Sequence, residues 1–214
     1  MLLQWFWRRL MFSAFLLPVL SQASIVQLTS PSQMTGPTTT LNDDIYADGT
    51  VANTLFQGQG VTPSRDDGFP VVIYDWAALG RTTTSPPNVI ATIGIPWWTS
   101  LNFSFAGPVI ELGMFFGNDQ PNGFPQTTLY IYDKSNVLLG SVAVSTNNNT
   151  SVDQFIGLRS TVPFFSAQIV NDQTNWYAVV VDNVEFSTTT PEPSSLLLFS
   201  SLALALRRFT RARR

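Results

Sequence analysis

The chain has 214 residues, 44% of them apolar, with no cysteine, no histidine and a formal net charge of −3 at pH 7. Lacking those two residue types, it can build no disulfide, no thiolate nucleophile, no Ser-His-Asp triad and no His or Cys metal site. Oxygen-ligand cations, chiefly Ca²⁺, remain open to it through Asp, Asn and backbone carbonyls.

Met1 to Ala23 has the three zones of a secretory signal peptide. Arg8 and Arg9 form the charged zone, Leu10 to Leu20 the apolar zone, and Ser21-Gln22-Ala23 supplies the small residues of a cleavage site. The 11-residue apolar zone is short for an anchor, so cleavage is expected after Ala23.

Residues 24–187 form the expected domain, long enough for one core. Its charged residues are four basic ones (Arg65, Arg81, Lys134, Arg159) and 13 acidic ones, a net charge of −9. Such a surface repels nucleic acid and anionic lipid and suits neutral partners or cations. Val, Ile, Phe, Tyr and Thr dominate, punctuated by Gly, Pro, Asn and Asp, which is strand composition.

The strands expected, in order, are Ile25–Thr29, Thr50–Phe56, Val71–Trp76, Asn88–Ile93, Ser100–Phe105, Val109–Phe116, Thr127–Tyr132, Val137–Ser145, Ser151–Leu158, Phe164–Val170 and Trp176–Phe186. Leu101, Phe103 and Phe105 share one face and Asn102 and Ser104 the other, the alternation of a half-buried strand. Ala106-Gly107-Pro108 reads as a turn, and Asp133-Lys134-Ser135-Asn136 as a tight hairpin. Residues 30–70, broken by Gly and Pro, read as loops. The expected fold is all-β, an antiparallel two-sheet sandwich of jelly-roll type.

Several positions are candidates for chemistry. Trp97 and Trp98 follow Ile95-Pro96, and adjacent indoles project to opposite faces, one inward and one available to stack on a sugar ring; Trp76 is a second choice. Asn118, Asp119 and Asn122 place oxygen donors after a strand end, with Asp119 the candidate metal ligand or else part of a plain turn. Asp43-Asp44-Asp48-Gly49 is a further acidic cluster that lacks the closing Glu of a calcium loop. A glycoside hydrolase needs two positioned carboxylates. Glu111 and Glu185, the domain's two glutamates, each lie in an apolar strand, so catalysis is not expected.

The chain closes on Pro191-Glu192-Pro193, an apolar stretch from Ser194 to Leu206 and the basic residues Arg207, Arg208, Arg211, Arg213 and Arg214. Positive charge behind an apolar run keeps that end cytoplasmic and sends the preceding chain outward. Thirteen apolar-segment residues make about 20 Å of helix against a hydrocarbon core of about 30 Å, which suits a transient hold better than a lasting anchor. This tail, residues 188–214 with its linker, resembles the PEP-CTERM sorting signal of Gram-negative bacteria. The resemblance implies an exported protein held briefly in the inner membrane and processed near Pro191-Glu192-Pro193 by an exosortase-like membrane protease. Its destination would be the cell surface or extracellular matrix.

The runs Leu101 to Asp119, Leu129 to Asp133, Leu138 to Val142, Phe155 to Leu158 and Tyr177 to Phe186 resemble the β-sandwich ectodomain common among such proteins, itself similar to lectin-like and carbohydrate-binding jelly rolls. That resemblance implies a non-catalytic surface or matrix protein, or a module binding extracellular polysaccharide. It also marks Asp182, followed by Asn183, either as a ligand to a structural Ca²⁺ or as an acceptor for amides of a neighbouring loop.

Overall fold

Alternating apolar residues, such as Leu101, Phe103 and Phe105, bury one face of a strand, and the computed structural model shows the resulting β-sandwich; it describes residues 23–94, 99–117, 126–147, 149–172 and 178–188. Among these residues the strands are β1 (Ile25–Leu28), β2 (Thr38–Thr40), β3 (Val61–Arg65), β4 (Val72–Asp75), β5 (Asn88–Ala91), β6 (Leu101–Gly117), β7 (Gln126–Tyr132), β8 (Leu138–Ser145), β9 (Val152–Asn171) and β10 (Val180–Ser187). The pairing runs β4-β5-β10-β6-β9-β7-β8, with β1 added to β9, β2 to β10 and β3 to β6, all antiparallel.

Two long strands, β6 and β9, belong to both layers. The first half of β6 lies between β3 and the second half of β9, which continues into β7 and β8. The second half of β6 lies between β10 and the first half of β9, which carries β1. Between the halves the register shifts, first between Ser104 and Val109 and again between Val109 and Glu111. A bulge there tolerates Pro108, which has no N–H to offer a ladder, and lets the strand bend from one layer into the other. On β9 the corresponding bend carries Pro163. Ser160 Oγ accepts from the Val162 amide at 3.1 Å and donates to its carbonyl at 2.6 Å, replacing ladder bonds at that point.

The segments on either side of Ala106-Gly107-Pro108 are therefore one bent strand, not two joined by a turn. The same holds for Ser151–Leu158 and Phe164–Val170. Thr50–Phe56 is not a strand either: Val51 makes one bridge to Val72, and a 3-10 turn follows at Ala52–Thr54. Asn53 accounts for this, since its side chain accepts from the Val71 amide (2.9 Å) and donates to the Pro63 carbonyl (3.1 Å). Two strands, β2 and β3, lie in the stretch read as loops.

The inner faces meet in one core. Phe103, Leu129, Ile131 and Ile169 from one layer pack with Leu112, Met114, Ile156, Leu158, Val181 and Phe186 from the other. Phe105 links the layers, its ring 5.3 Å from Phe186 and 5.9 Å from Phe164. Full burial of each such side chain contributes about 2 kcal/mol of transfer free energy. Among the described residues no helix is long and apolar enough to cross a membrane. The signal segment before Ala23 and the tail from Thr189 onward lie outside the described residues.

Candidate functional site

In the layer formed by β3, β6, β9, β7 and β8, odd and even positions divide cleanly. The row Pro63, Phe103, Ala167, Ile131 faces the core, as does the row Leu101, Ile169, Leu129, Val142. The opposite face carries Ser64, Asn102, Gln168 and Tyr130 side by side across β3, β6, β9 and β7. The next rung holds Thr62, Ser104, Ser166 and Tyr132. Neighbouring strands lie about 4.8 Å apart, so four strands make a polar platform about 14 Å across. An open groove of about 360 Å³ lies on it, bordered by Ser64, Asp66, Asn102, Tyr132, Ser166 and Gln168.

The polar groups in this groove are held by one another. Asn102 Nδ2 donates to Asp66 Oδ1 at 2.6 Å, and Ser100 Oγ donates to Asp66 Oδ2. Gln168 Nε2 reaches Asp66 Oδ2 at 3.2 Å and Ser100 Oγ at 3.1 Å, while its Oε1 accepts from the Tyr132 hydroxyl at 3.4 Å. Burial, with Tyr130 and the negative charge of Asp66 nearby, pushes the Tyr132 phenol above its ordinary value, so it remains a donor at neutral pH. Among the described residues, Asp66 is the one charged residue bordering the groove. The result is a preorganised set of hydroxyl, amide and carboxylate groups beside an aromatic ring.

Of the positions marked in the sequence, Trp97, Trp98, Asp119 with its neighbours Asn118 and Asn122, and the tail residues Pro191, Glu192, Pro193 and Arg207 to Arg214 lie outside the described residues. Trp76 does not serve as a sugar platform: it is 1% exposed, in a small cluster with Val89, Ala91, Val152 and Val180, and Arg81 covers its ring at 4.9 Å. The Glu111 carboxylate, fully buried, accepts from Arg159 Nε, from the Thr35 amide and hydroxyl and from the Gly36 amide. It is a structural tie to the loop before β2. Glu185 sits on β10 opposite Gly113, away from the groove.

Asp182 is fully buried on β10. Its Oδ2 accepts from Thr84 Oγ1 and from the Ser85 amide, each at 2.7 Å, while Oδ1 has no partner. Asn183 adopts φ 49°, and its side chain donates to Thr84 Oγ1 at 3.1 Å. Asp43, 1% exposed, likewise has one oxygen, Oδ2, without a partner.

No family model matches the chain, and no curated protein matches it. Among solved structures it is similar to the K2 cleaved adhesin domain of Lys-gingipain, at 9% identity and TM-score 0.45, over 71% of this chain and 99% of that one. It is also similar to two mutants of the family 29 carbohydrate-binding module CBM29-2. One, complexed with mannohexaose, gives 8% identity and TM-score 0.42 over 72% of this chain and 94% of that one. The other, complexed with cellulohexaose, gives 8% identity and TM-score 0.39 over 80% and 99%. At such identities and scores the likeness concerns sandwich architecture alone.

Proposed function

We propose that the chain is an exported, non-catalytic β-sandwich protein that binds neutral polysaccharide in the groove over β3, β6, β9 and β7. The observation that carries this reading is the pair of polar rungs, Ser64-Asn102-Gln168-Tyr130 and Thr62-Ser104-Ser166-Tyr132, joined through Asp66 and Ser100. Sugar rings offer vicinal hydroxyls that both donate and accept. Fixed amide, hydroxyl and carboxylate groups match them, and a tyrosine edge supplies apolar contact for their C–H faces. Among the described residues the groove's lining carries no large aliphatic side chain of the kind that anchors a protein interface. A domain charge of −9 and Asp66 in the groove favour uncharged glycans over uronates and sulfates.

Delivery is the second part of the proposal. The N-terminal signal, cleaved after Ala23, would export the chain. The tail would hold it in the inner membrane until an exosortase-like protease acts near Pro191-Glu192-Pro193, leaving the domain on the surface or in the matrix.

Affinity electrophoresis and calorimetry against neutral and acidic polysaccharides test the binding claim. Retention on a neutral glycan that Gln168→Ala weakens is expected; equal indifference to all glycans would sink it. Mass spectrometry of the released protein's C-terminus tests delivery separately, and an intact Arg214 on the soluble form would refute processing.

A further inference from the structure

The layer that carries the groove ends on β8, an eight-residue strand paired on one side with β7. From Leu138 to Ser145 it holds no charge and no proline. An outermost strand of that kind is a template for a further strand, and folded chains blunt such edges with charge, proline, short length or a cover. The other outer strands here are blunted. Along β4, Gly49 donates to the Ile73 carbonyl (2.9 Å), Ile73 to that of Thr50 (2.8 Å) and Ala52 to that of Val71 (2.8 Å). β3 has Pro63 at its centre, and β1 and β2 span four and three residues. Among the described residues, no backbone other than that of β7 bonds to β8.

Two side chains from other strands reach the carbonyls of β8. Gln154 Nε2 on β9 donates to Ser145 at 2.9 Å, and Gln27 Nε2 on β1 donates to Ala143 at 3.5 Å, the outer limit of such a bond. Their two-residue spacing marks Ser141, Ala143 and Ser145 as the positions whose N–H and C=O turn away from β7. The side chains of these three are exposed on the outer face, while Val142 is buried and Val144 half-buried on the inner one.

We propose that β8 pairs antiparallel with β8 of a second copy of this chain, about a two-fold axis at Val142. Under a two-fold axis one open edge supplies both sides of the joint. Like faces must meet, so Ser141, Ala143 and Ser145 must oppose one another across it. An axis at Ser141 would set Ala143 against Leu139, the extra residue at the register shift between Ile131 and Tyr132. An axis at Ala143 would set Ser141 against Ser145, whose carbonyl Gln154 already holds. The axis at Val142 uses the regular stretch between them. Ser141 of each copy then faces Ala143 of the other and exchanges both backbone bonds, with a strand amide replacing the long Gln27 contact. Gly140 faces Val144, and the two Val142 side chains meet on the inner face. A foreign strand would find neither charge nor pocket on β8 to recognise, whereas the strand's small outer and valine inner residues match their own copy. The joined layer has ten strands, five from each copy, with both grooves on one face. The pairing itself does not depend on glycan binding.

Sedimentation equilibrium of the purified full chain is the test, with melting temperatures as the control for folding. A reversible dimer is expected. The double variant Ser141→Lys, Ala143→Lys sets like charges directly opposite at both pairs, and should be monomeric at concentrations where the unaltered chain is dimeric. Mixing it with the double variant Ser141→Glu, Ala143→Glu should restore a one-to-one dimer. The chain has no cysteine, so Ser141→Cys and Ala143→Cys chains report the register: oxidation should crosslink their mixture faster than either alone. An unaltered chain that stays monomeric at every concentration, or a dimer that survives the Lys substitutions, would overturn the proposal. Equal crosslinking of the mixture and of either cysteine variant alone would overturn the register. Should the charged variants misfold, the cysteine variants, whose side chains stay small, still decide.

Discussion

Glu111 on β6 and Arg159 on β9 stand directly opposite each other in the ladder, and the arginine Nε donates to the buried carboxylate. The same guanidinium donates through Nη2 to the Gln33 carbonyl at 2.6 Å, while Thr35 and Gly36 donate to Glu111. One ion pair therefore ties the chain between β1 and β2 onto the outside of the second layer.

Glu111→Ala leaves the Arg159 Nε–H, the Thr35 amide and hydroxyl and the Gly36 amide without their acceptor, and a loss of about 3 kcal/mol in urea denaturation is expected. Burial by itself would raise this carboxyl, but the bonds from Arg159, Thr35 and Gly36 outweigh it and hold it below the ordinary carboxylate range. Its stabilisation is thus present above the unfolded-state value, near 4.5, and is lost as pH falls through the lower folded-state value. Denaturation midpoints between pH 6 and pH 3 should fall more steeply for the unaltered chain than for Glu111→Gln.

Glu185 shows the opposite sign. Burial raises its carboxyl, so its favourable contribution is complete below the unfolded-state value and disappears as pH rises through the folded-state one. At neutral pH its charge is a burden on the fold. Glu185→Gln should melt higher than the unaltered chain at pH 7.5 and the same at pH 3.5, without change in glycan retention.

In the groove, Tyr132 and Gln168 should separate two kinds of contribution. Gln168→Ala removes the hub that connects Asp66, Ser100 and Tyr132 and should weaken glycan binding about tenfold. Tyr132→Phe keeps the ring and should weaken it less than Tyr132→Ala. Asp66→Asn keeps an acceptor but removes the charge, and should raise the affinity for uronate-containing polymers. Calorimetry with matched neutral and acidic glycans reads all four.

Two glycines test how the strands are packed. A Cβ on Gly117 would strike the Ser151 carbonyl oxygen and lie 2.7 Å from Val152 Cα, both backbone atoms. A Cβ on Gly140 would meet Ile25 Cγ1 at 2.5 Å, on a side chain that can be shortened. Both alanine variants should lose stability, Gly117→Ala by about 2 kcal/mol or more. Only the Gly140→Ala loss should be recovered in a double variant with Ile25→Ala.

Much of the sandwich was legible because period-2 alternation reflects one-sided burial: Leu101, Phe103 and Phe105 inward, Asn102 and Ser104 outward. The bends were not legible. Pro108 and Pro163 resemble strand ends until the partner strand is known, since only the ladder reveals that their missing N–H falls at a bulge. β3 was hidden by Pro63, which an edge strand tolerates because one side of it is unpaired. The groove was half visible. Asn102 and Ser104 were placed on an outer face, but Ser64, Asp66 and Gln168 join them only through pairings set by tertiary structure.

The position of β10 bears on how the domain would carry mechanical load. Its start is flanked by β5 and β6, and its end, Glu185 to Ser187, by β2 and β6. A pull transmitted from the tail enters at Ser187 and runs along the strand axis, so it loads hydrogen bonds on both sides together in shear. An edge strand pulled sideways would open its bonds singly, like a zip. On the proposed reading, strain between a tethered tail and a polymer in the groove would pass through β10 into β6, whose first half forms part of the groove itself.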